Sequence, residues 1–133
     1  MNTVVVTGGA GYIGSHAVKA LVTGGVRVIV YDNLSAGHAR AAAAAGAEIE
    51  TGDIHDVERL TAVLRRSAAD AVMHFAAWLS VGDSVRDPAG YYDNNVGGAL
   101  AVLRAMVDAG ARLFIFSSTA ATFGNPVRTP IDE

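Results

Sequence analysis

A glycine-rich turn near the amino terminus has the spacing of a phosphate-binding loop. It follows the apolar run Val4–Val6 and places glycines at Gly8, Gly11 and Gly14. Gly8 permits a turn that a Cβ atom would block, Gly11 leaves room for a pyrophosphate, and Gly14 lets the next helix pack closely on the strand. The amino terminus of that helix offers N–H groups and a partial positive charge. The spacing favours a diphosphate site, with a plain glycine loop as the alternative.

A carboxylate stands at the end of the second apolar run, Val26–Tyr31. Asp32 occupies the position from which a carboxylate accepts hydrogen bonds from an adenosine ribose. Its charge would repel a 2′-phosphate, and no arginine adjoins it, so we expect NAD rather than NADP. The alternative is that Asp32 is only a turn residue before Asn33.

Composition argues against several other classes of function. The 133 residues carry a net charge of −3 and are 51% apolar, which suits one domain with a sizeable core and disfavours a nucleic-acid partner. Cysteine is absent, so we expect neither disulfides nor thiol chemistry. No apolar run approaches the roughly 20 residues of a membrane span, and we recognise no leader segment. We therefore expect a cytoplasmic protein without a membrane partner. The histidines His16, His38 and His55 lack ligand spacing, so we expect no metal.

Apolar runs and glycine stops predict an alternation of strands and helices. The predicted strands are Thr3–Thr7, Val26–Tyr31, Ala47–Thr51, Asp70–Ala76 and Arg112–Ser117. The predicted helices are Tyr12–Thr23, Ala39–Ala45, Val57–Ser67 and about Pro88–Asp108, the last interrupted at Gly97-Gly98. Loops are predicted at Gly82–Ser84 and Ser118–Glu133. The predicted inward residues are Ile13, Ala17, Ala20 and Leu21 on the first helix, Leu60, Val63 and Leu64 on the third, and Leu100, Leu103, Met106 and Val107 on the last.

This alternation predicts an α/β fold with a doubly wound parallel sheet. Right-handed crossovers give the strand order 3-2-1-4-5. The cofactor is then expected at the carboxyl ends of the strands, between the first and the fourth.

Six segments together resemble a known family. They are Thr7–His16, Tyr31–Ser35, Gly52–Ile54, His74–Ala77, Tyr91–Val96 and Phe116–Ala121. All 133 residues resemble the N-terminal part of the extended short-chain dehydrogenases/reductases, and within them the UDP-glucose 4-epimerases (UDP-galactose 4-epimerases). The resemblance implies a Rossmann-like fold, NAD as cofactor and, in the complete enzymes, reversible 4-epimerisation of a UDP-hexose through a 4-keto intermediate.

The resemblance also implies roles for single residues at the cofactor site. Tyr12 and Ile13 match residues that line the pyrophosphate through backbone amides, and Asp32 and Asn33 match contacts to the adenosine ribose. The other implied cofactor contacts are Asp53 and Ile54 at the adenine, Phe75, Ala76 and Ala77 after the fourth strand, Asn94 on the long helix, and Ser117 after the fifth strand.

Thr119 matches the family's catalytic Ser/Thr, which hydrogen-bonds the sugar O4. Simpler interpretations remain open for several of these residues. Asp53 could cap a turn, Asn94 and Asn95 could form a solvated helix face, and Thr119 could be an ordinary loop hydroxyl. His74 lies among apolar neighbours, where a hydrogen-bonded core histidine is the expected role.

The chain departs from the family in three places. The family usually has a lysine shortly after the Phe-Ala-Ala segment, whereas Trp78–Ser80 contains none. The usual Val-Tyr-Gly is replaced by Thr122–Gly124, which loses a hydroxyl. Lys19 is the only lysine, so these residues contain no Tyr-x-x-x-Lys pair. In the family that pair removes the proton from the sugar hydroxyl, so we expect these residues to lack catalysis on their own.

Two other functions remain as alternatives. One is a standalone NAD- or nucleotide-binding remnant. The other is a fragment of a nucleotide-sugar 4,6-dehydratase or decarboxylase, although a dehydratase would usually carry Asp and Glu after the threonine where this chain has Ser118–Ala120. We expect an incomplete Rossmann domain over residues 1–133, truncated after the fifth strand. Its apolar edge, Leu113–Phe116, predicts self-association.

Overall fold

Five parallel strands form the sheet of this protein. The computed structural model describes residues 2–131, without the side chains at positions 41 and 44. The strands are β1 Thr3–Thr7, β2 Arg27–Asp32, β3 Glu48–Thr51, β4 Ala71–His74 and β5 Leu113–Phe116. Their order is β3-β2-β1-β4-β5 and every pairing is parallel, which confirms the predicted topology. The observed strands start or stop one or two residues inside the predicted ones, apart from β1, which matches, and β2, which extends to Asp32.

Helices cover both faces of this sheet. They are α1 Tyr12–Thr23, α2 Ala39–Ala44, α3 Val57–Ser67, α4 Val81–Arg86, α5 Pro88–Tyr92 and α6 Gly98–Ala109. A π-helical segment, Asp93–Gly97, joins α5 to α6, and a 3₁₀ turn, Ala120–Phe123, follows β5. None of the helices within residues 2–131 has the length and apolarity needed to cross a bilayer.

Two predicted loops contain helical structure. Gly82–Ser84 lies inside α4, which is capped because the Ser80 hydroxyl accepts from the backbone N–H of Asp83. That serine and the carboxylate three residues later form an N-terminal capping signal, which outweighs the loop tendency of Gly82 between them. The 3₁₀ turn lies inside the predicted loop Ser118–Glu133, whose last two residues fall outside the described part of the chain.

The predicted long helix is continuous from Pro88 to Ala109 but changes hydrogen-bond pattern on the way. The predicted interruption takes the form of the π segment, whose closing bond runs from the Gly98 N–H to the Asp93 carbonyl. The helix then ends at Gly110, which adopts a positive φ of 79°. Such π-helical insertions are frequent at functional sites.

Alternate side chains of the strands point to opposite faces of the sheet and pack into two core clusters. Val5 and Val72 pack with α3 and α6, and the predicted inward residues Leu60, Val63 and Leu64 are all buried there. On the opposite face, Val4, Val6 and Val30 pack with Val18 of α1 and Ala42 of α2. The two faces together leave the carboxyl ends of the strands as the edge at which loops converge.

The predicted inward faces of α1 and α6 are wrong in part. On α1, Ile13 is 59% exposed and Ala20 is exposed, while Gly14 and Val18 are buried. A Cβ on Gly14 would overlap the carbonyl oxygen of Gly8, so this close approach sets the rotation of the helix.

On α6 the large apolar residues point outward. Leu100 is 62% and Val107 80% exposed, and Leu103 is also exposed, whereas Met106 is buried as predicted. The buried face consists of small or medium side chains: Gly98, Val102, Ala105 and Met106. Gly98 lies directly against Ile54, and this contact requires the glycine face to turn inward.

Candidate functional site

The glycine turn lies at the carboxyl end of β1, between β2 and β4. Gly8 has a φ of +72°, and its N–H donates to the Tyr31 carbonyl at 3.0 Å. A Cβ on Gly8 would lie 2.5 Å from the backbone nitrogen of Ala76, so the turn sits tightly against the chain that leaves β4. The turn closes with a 3.2 Å bond from the Gly11 N–H to the Gly8 carbonyl.

Helix α1 begins directly after this turn. Gly11 is its N-cap residue, no side chain of the described residues caps it, and no acidic residue lies in its first turn. The side chains of Tyr12 and Ile13 are 83% and 59% exposed and leave the helix end uncovered by packing. An uncapped helix end carries partial positive charge and N–H groups that suit a phosphate.

Asp32 joins the glycine turn to the loop after β2. Its Oδ2 accepts from the backbone N–H of Ala10 at 3.0 Å, and its Oδ1 accepts from that of Leu34 at 2.8 Å. The residue is only 9% exposed. The bond to Leu34 makes Asp32 a turn residue, as the alternative interpretation held, and the bond to Ala10 places its carboxylate beside the glycine turn. An ionised carboxylate has about four acceptor positions, so these two bonds leave capacity for a ligand.

A second carboxylate, Asp53, belongs to the loop after β3 and lies close to Asn33 of the loop after β2. Its Oδ2 accepts from the Asn33 side-chain amide at 2.9 Å, and its Oδ1 accepts from the backbone N–H of His55 at 2.9 Å. The His55 backbone N–H and then the Asn33 amide hold the pKa of Asp53 below its usual range. Asp53 also serves as a local turn acceptor, as the simpler interpretation held.

Tyr31 and Ile54 support this loop on the side that faces the core. The Tyr31 hydroxyl donates to the Asp53 carbonyl at 3.0 Å, and burial raises the pKa of this phenol to about 12, so it remains a donor. Ile54 is 7% exposed and packs in the core with Leu60 and Val102. The contact of Ile54 with adenine therefore stays a prediction, and most of this side chain faces the core.

Asn95, for which a solvated helix face was the simpler interpretation, holds the chain after β4. The Asn95 side chain donates to the Trp78 carbonyl at 2.9 Å and accepts from the Trp78 N–H at 2.8 Å. The Asn94 amide donates to Asn95 at 2.9 Å, and both asparagines are partly buried. The π segment therefore anchors the chain at Trp78, directly after Phe75–Ala77. In that preceding segment Phe75 and Ala76 are partly buried and Ala77 is exposed. The Asn-Asn pair itself was the only sequence signal for this role.

His74 is a core histidine, as predicted, and has one hydrogen-bond partner. Its Nδ1 lies 2.7 Å from the Thr7 hydroxyl, and its ring stacks on Phe116 with centroids 5.7 Å apart. Within residues 2–131 its Nε2 has no partner. Burial lowers the pKa of His74, which keeps the ring neutral.

The hydroxyl cluster Ser117–Thr119 follows β5 at the same edge of the sheet. The Ser117 N–H donates to the His74 carbonyl at 3.3 Å, which continues the ladder by one residue. The Thr119 hydroxyl oxygen accepts from the Ala121 N–H at 3.3 Å and caps the 3₁₀ turn. All three side chains are exposed.

The sequence of the whole site matches a family model. The model, described as the NAD dependent epimerase/dehydratase family, matches residues 4–133. The chain belongs to this family. Its parallel sheet with order 3-2-1-4-5 is the Rossmann-like arrangement found in the N-terminal domains of the epimerases.

Relatives in this family are named UDP-glucose 4-epimerase. The protein of Rhizobium meliloti (strain 1021) is 50% identical over 132 residues, which are 99% of this chain and 40% of the relative. The protein of Streptomyces lividans is 52% identical over 130 residues, which are 97% of this chain and 39% of the relative. The chain thus spans about 40% of the length of these relatives, in their N-terminal part.

Solved structures of the same family superimpose closely. The UDP-glucose 4-epimerase of Brucella ovis in complex with NAD has a TM-score of 0.94 and 48% identity, covering 100% of this chain and 40% of that one. The enzyme of Bifidobacterium longum in complex with NAD⁺ and UDP has a TM-score of 0.92 and 36% identity, covering 99% and 41%.

The described residues offer little for metal chemistry. Across residues 2–131, no group of three or more His, Cys, Asp or Glu side chains is arranged to hold a metal ion. The groups that converge at the sheet edge are backbone amides, two carboxylates, amides and hydroxyls, which suit a nucleotide.

Proposed function

We propose that this chain is the NAD-binding part of a UDP-glucose 4-epimerase, with a UDP-hexose as the substrate of the complete enzyme. The observation that carries the proposal is the Asp32 carboxylate, which lies at the end of β2 and accepts from Ala10 inside the glycine turn. A ribose acceptor and a diphosphate loop are thereby next to each other, as a dinucleotide requires. The identity of about 50% to named 4-epimerases supports the choice of reaction.

The residues of the site fit NAD by their chemistry. The uncapped end of α1, with the amides of Tyr12 and Ile13, would hold the pyrophosphate. At the adenosine ribose, Asp32 would accept hydrogen bonds from the ribose hydroxyls, and the Asn33 amide would donate one. A 2′-phosphate at this place would meet the charge of Asp32, which favours NAD over NADP.

The remaining contacts follow the cofactor across the sheet edge. Asp53 would accept from the adenine amine, with Ile54 beneath the ring. The segment Phe75–Ala77 would lie beside the ribose and pyrophosphate, with Asn94 and Ser117 on the nicotinamide side. These assignments rest on the shared sheet edge and on the family resemblance.

Bound NAD would supply a reversible acceptor for hydride. The chain's own contribution at the sugar is Thr119, whose oxygen accepts from Ala121 and whose hydrogen can therefore be donated to the sugar O4. The proton-accepting tyrosine and its lysine partner are not among the 133 residues. We accordingly propose that these residues bind the cofactor and orient the sugar, and do not epimerise it alone.

A chimeric enzyme tests this function directly. We would replace the matching N-terminal 40% of the Rhizobium meliloti relative with this chain and assay the conversion of UDP-galactose to UDP-glucose. The expected result is NAD-dependent interconversion of the two sugars, lowered by at least about tenfold in the Thr119→Val variant. Asp108→Asn, at the opposite end of the fold, is the matched control.

The outcomes separate the alternatives. A chimera that binds NAD without epimerising would contradict the 4-epimerase proposal and favour a binding remnant. A 4-keto-6-deoxy sugar as product would favour a dehydratase, and release of CO₂ with formation of a pentose from an added UDP-hexuronate would favour a decarboxylase.

We also propose a cytoplasmic location and self-association through the β5 edge. Leu113, Ile115 and Phe116 are 51%, 42% and 52% exposed on a strand that pairs on one side only among the described residues. Unpaired apolar edges are templates for another strand. Light scattering that finds only monomer at high concentration would refute the association, and cell fractionation tests the location.

A further inference from the structure

His55 bridges two parts of the candidate site that come from different elements. Its Nδ1 lies 2.8 Å from Oδ1 of Asp53, and its Nε2 lies 3.2 Å from the backbone carbonyl oxygen of Asp93 in the π segment. The Asp93 carboxylate is 3.8 Å from the same nitrogen. The imidazole thus connects the loop after β3 to the helical stretch that carries Asn94.

Both partners of the imidazole ring are acceptors. An ionised carboxylate and a carbonyl oxygen can only accept hydrogen bonds, whereas a neutral imidazole has a single N–H. The two contacts can therefore be made together only by the doubly protonated imidazolium ion. Hydrogen bonding to Asp53 raises the pKa of His55, which acts in the same direction.

The surroundings of the ring favour its positive charge. The charged groups that face it from the loop and from the π segment are Asp53 and Asp93. Two glycines also face the ring: Gly97, the last residue of the π segment, and Gly98, the first of α6. A Cβ on Gly97 would lie 3.9 Å from Nε2, and one on Gly98 would lie 3.5 Å from Cε1. The side chain is 39% exposed, so it exchanges protons freely with solvent.

We propose that His55, as the imidazolium ion, is a positioning residue that holds the Asp53 carboxylate for an adenine nucleotide and ties it to the π segment. The proposal rests on the nucleotide-binding function proposed above. His55 fixes Oδ1, which accepts from both its backbone N–H and its ring, while Asn33 fixes Oδ2, whose second lone pair would accept from a ligand amine. Loss of the proton breaks one of the two ring contacts, so nucleotide affinity falls as the pH rises above the ordinary histidine value of 6.5.

Calorimetric titration with NAD⁺ between about pH 5.5 and about pH 8.5 tests the proposal. For the wild-type chain the dissociation constant should rise by up to about fivefold across this range. A change of this size corresponds to the free energy of one partly exposed ion pair. In His55→Gln, which keeps a neutral donor, it should stay constant. His38→Gln, at an exposed histidine that precedes α2, is the matched control and should keep the wild-type pH dependence. Equal pH profiles for wild type and His55→Gln would overturn the proposal.

An NMR titration gives a second readout that needs no ligand. The His55 ring should titrate above 6.5 in the wild type and closer to it in Asp53→Asn. A His55 ring that titrates at or below 6.5 would overturn the bridge. Absence of NAD⁺ binding at every pH would overturn the proposed function and the positioning role together, whereas NAD⁺ binding with a flat wild-type profile overturns only the positioning role.

Discussion

At the scale of single residues, two histidines of this chain respond to pH in opposite directions. His55 is partly exposed and lies between acidic groups, so it favours the proton. His74 is 2% exposed between Thr7 and two phenylalanines, so burial disfavours the proton. Protonation of His55 therefore stabilises the fold below pH 6.5, and this contribution is lost as the pH rises through its raised pKa. Protonation of His74 destabilises the fold on the acid side of 6.5.

The free energy of unfolding at acidic pH should accordingly depend on His74. The free energy of unfolding in urea should fall as the pH drops below about 6.5, by at most about 1.4 kcal/mol per pH unit from this group. His74→Gln should flatten this pH dependence, and His38→Gln, an exposed histidine, should not. If the variant does not fold, NMR of the wild-type His74 ring decides, because a ring that titrates at or above 6.5 contradicts the assignment.

Single residues of the site were predictable where a strand end fixed their place. Asp32 is the last residue of β2 and Asp53 follows β3, and the carboxyl ends of these neighbouring strands share one edge. Their distant partners were not predictable, because the bonds of Asp32 to Ala10 and of Asp53 to Asn33 join loops that are 20 or more residues apart in the chain. The role of Asn95 was missed for the same reason, since its partner Trp78 is 17 residues away.

At the scale of elements, close backbone contacts at glycines set the rotation of two helices. Gly14 brings α1 against the carbonyl of Gly8, and Gly98 brings α6 against Ile54. The bounds of these helices were predictable, because caps and glycine stops are local signals. Part of each buried face was predicted wrongly, because the apolar pattern alone does not show that Gly14 and Gly98 determine which side of the helix approaches the sheet.

Substitution of Gly14 by alanine should therefore be costly. Its Cβ would overlap the backbone of Gly8, which cannot move without distorting the turn, so we expect a loss of about 1–3 kcal/mol in the free energy of unfolding. The matched control is Gly82→Ala in α4, whose Cβ would have only the guanidinium of Arg86 nearby, at 3.7 Å. That change should be neutral or stabilise by up to about 1 kcal/mol. Equal melting curves for the two variants would contradict this account of α1 packing.

At the scale of the whole molecule, strand order is what assembles the site. The alternation of strands and helices was enough to predict the order 3-2-1-4-5, because crossover handedness leaves few other topologies. That order places the glycine turn between Asp32 on one side and the β4 segment on the other. The π segment was not predictable in this way, since its Asn95 bonds to Trp78 in the loop after β4. Helix α4 instead depends on the local capping signal of Ser80 and Asp83.

The central claim is that the glycine turn and Asp32 together hold a dinucleotide. Calorimetry of the chain with NAD⁺ and with NADP⁺ tests it most directly, using Asp32→Asn and the distant Asp108→Asn, with circular dichroism to confirm that each variant is folded. We predict saturable binding of NAD⁺ in preference to NADP⁺, weakened at least about tenfold by Asp32→Asn through loss of a charge-assisted hydrogen bond, and unchanged by Asp108→Asn. Equal affinity for the two cofactors, or an Asp32→Asn variant that binds NAD⁺ as the wild type does, would contradict the account.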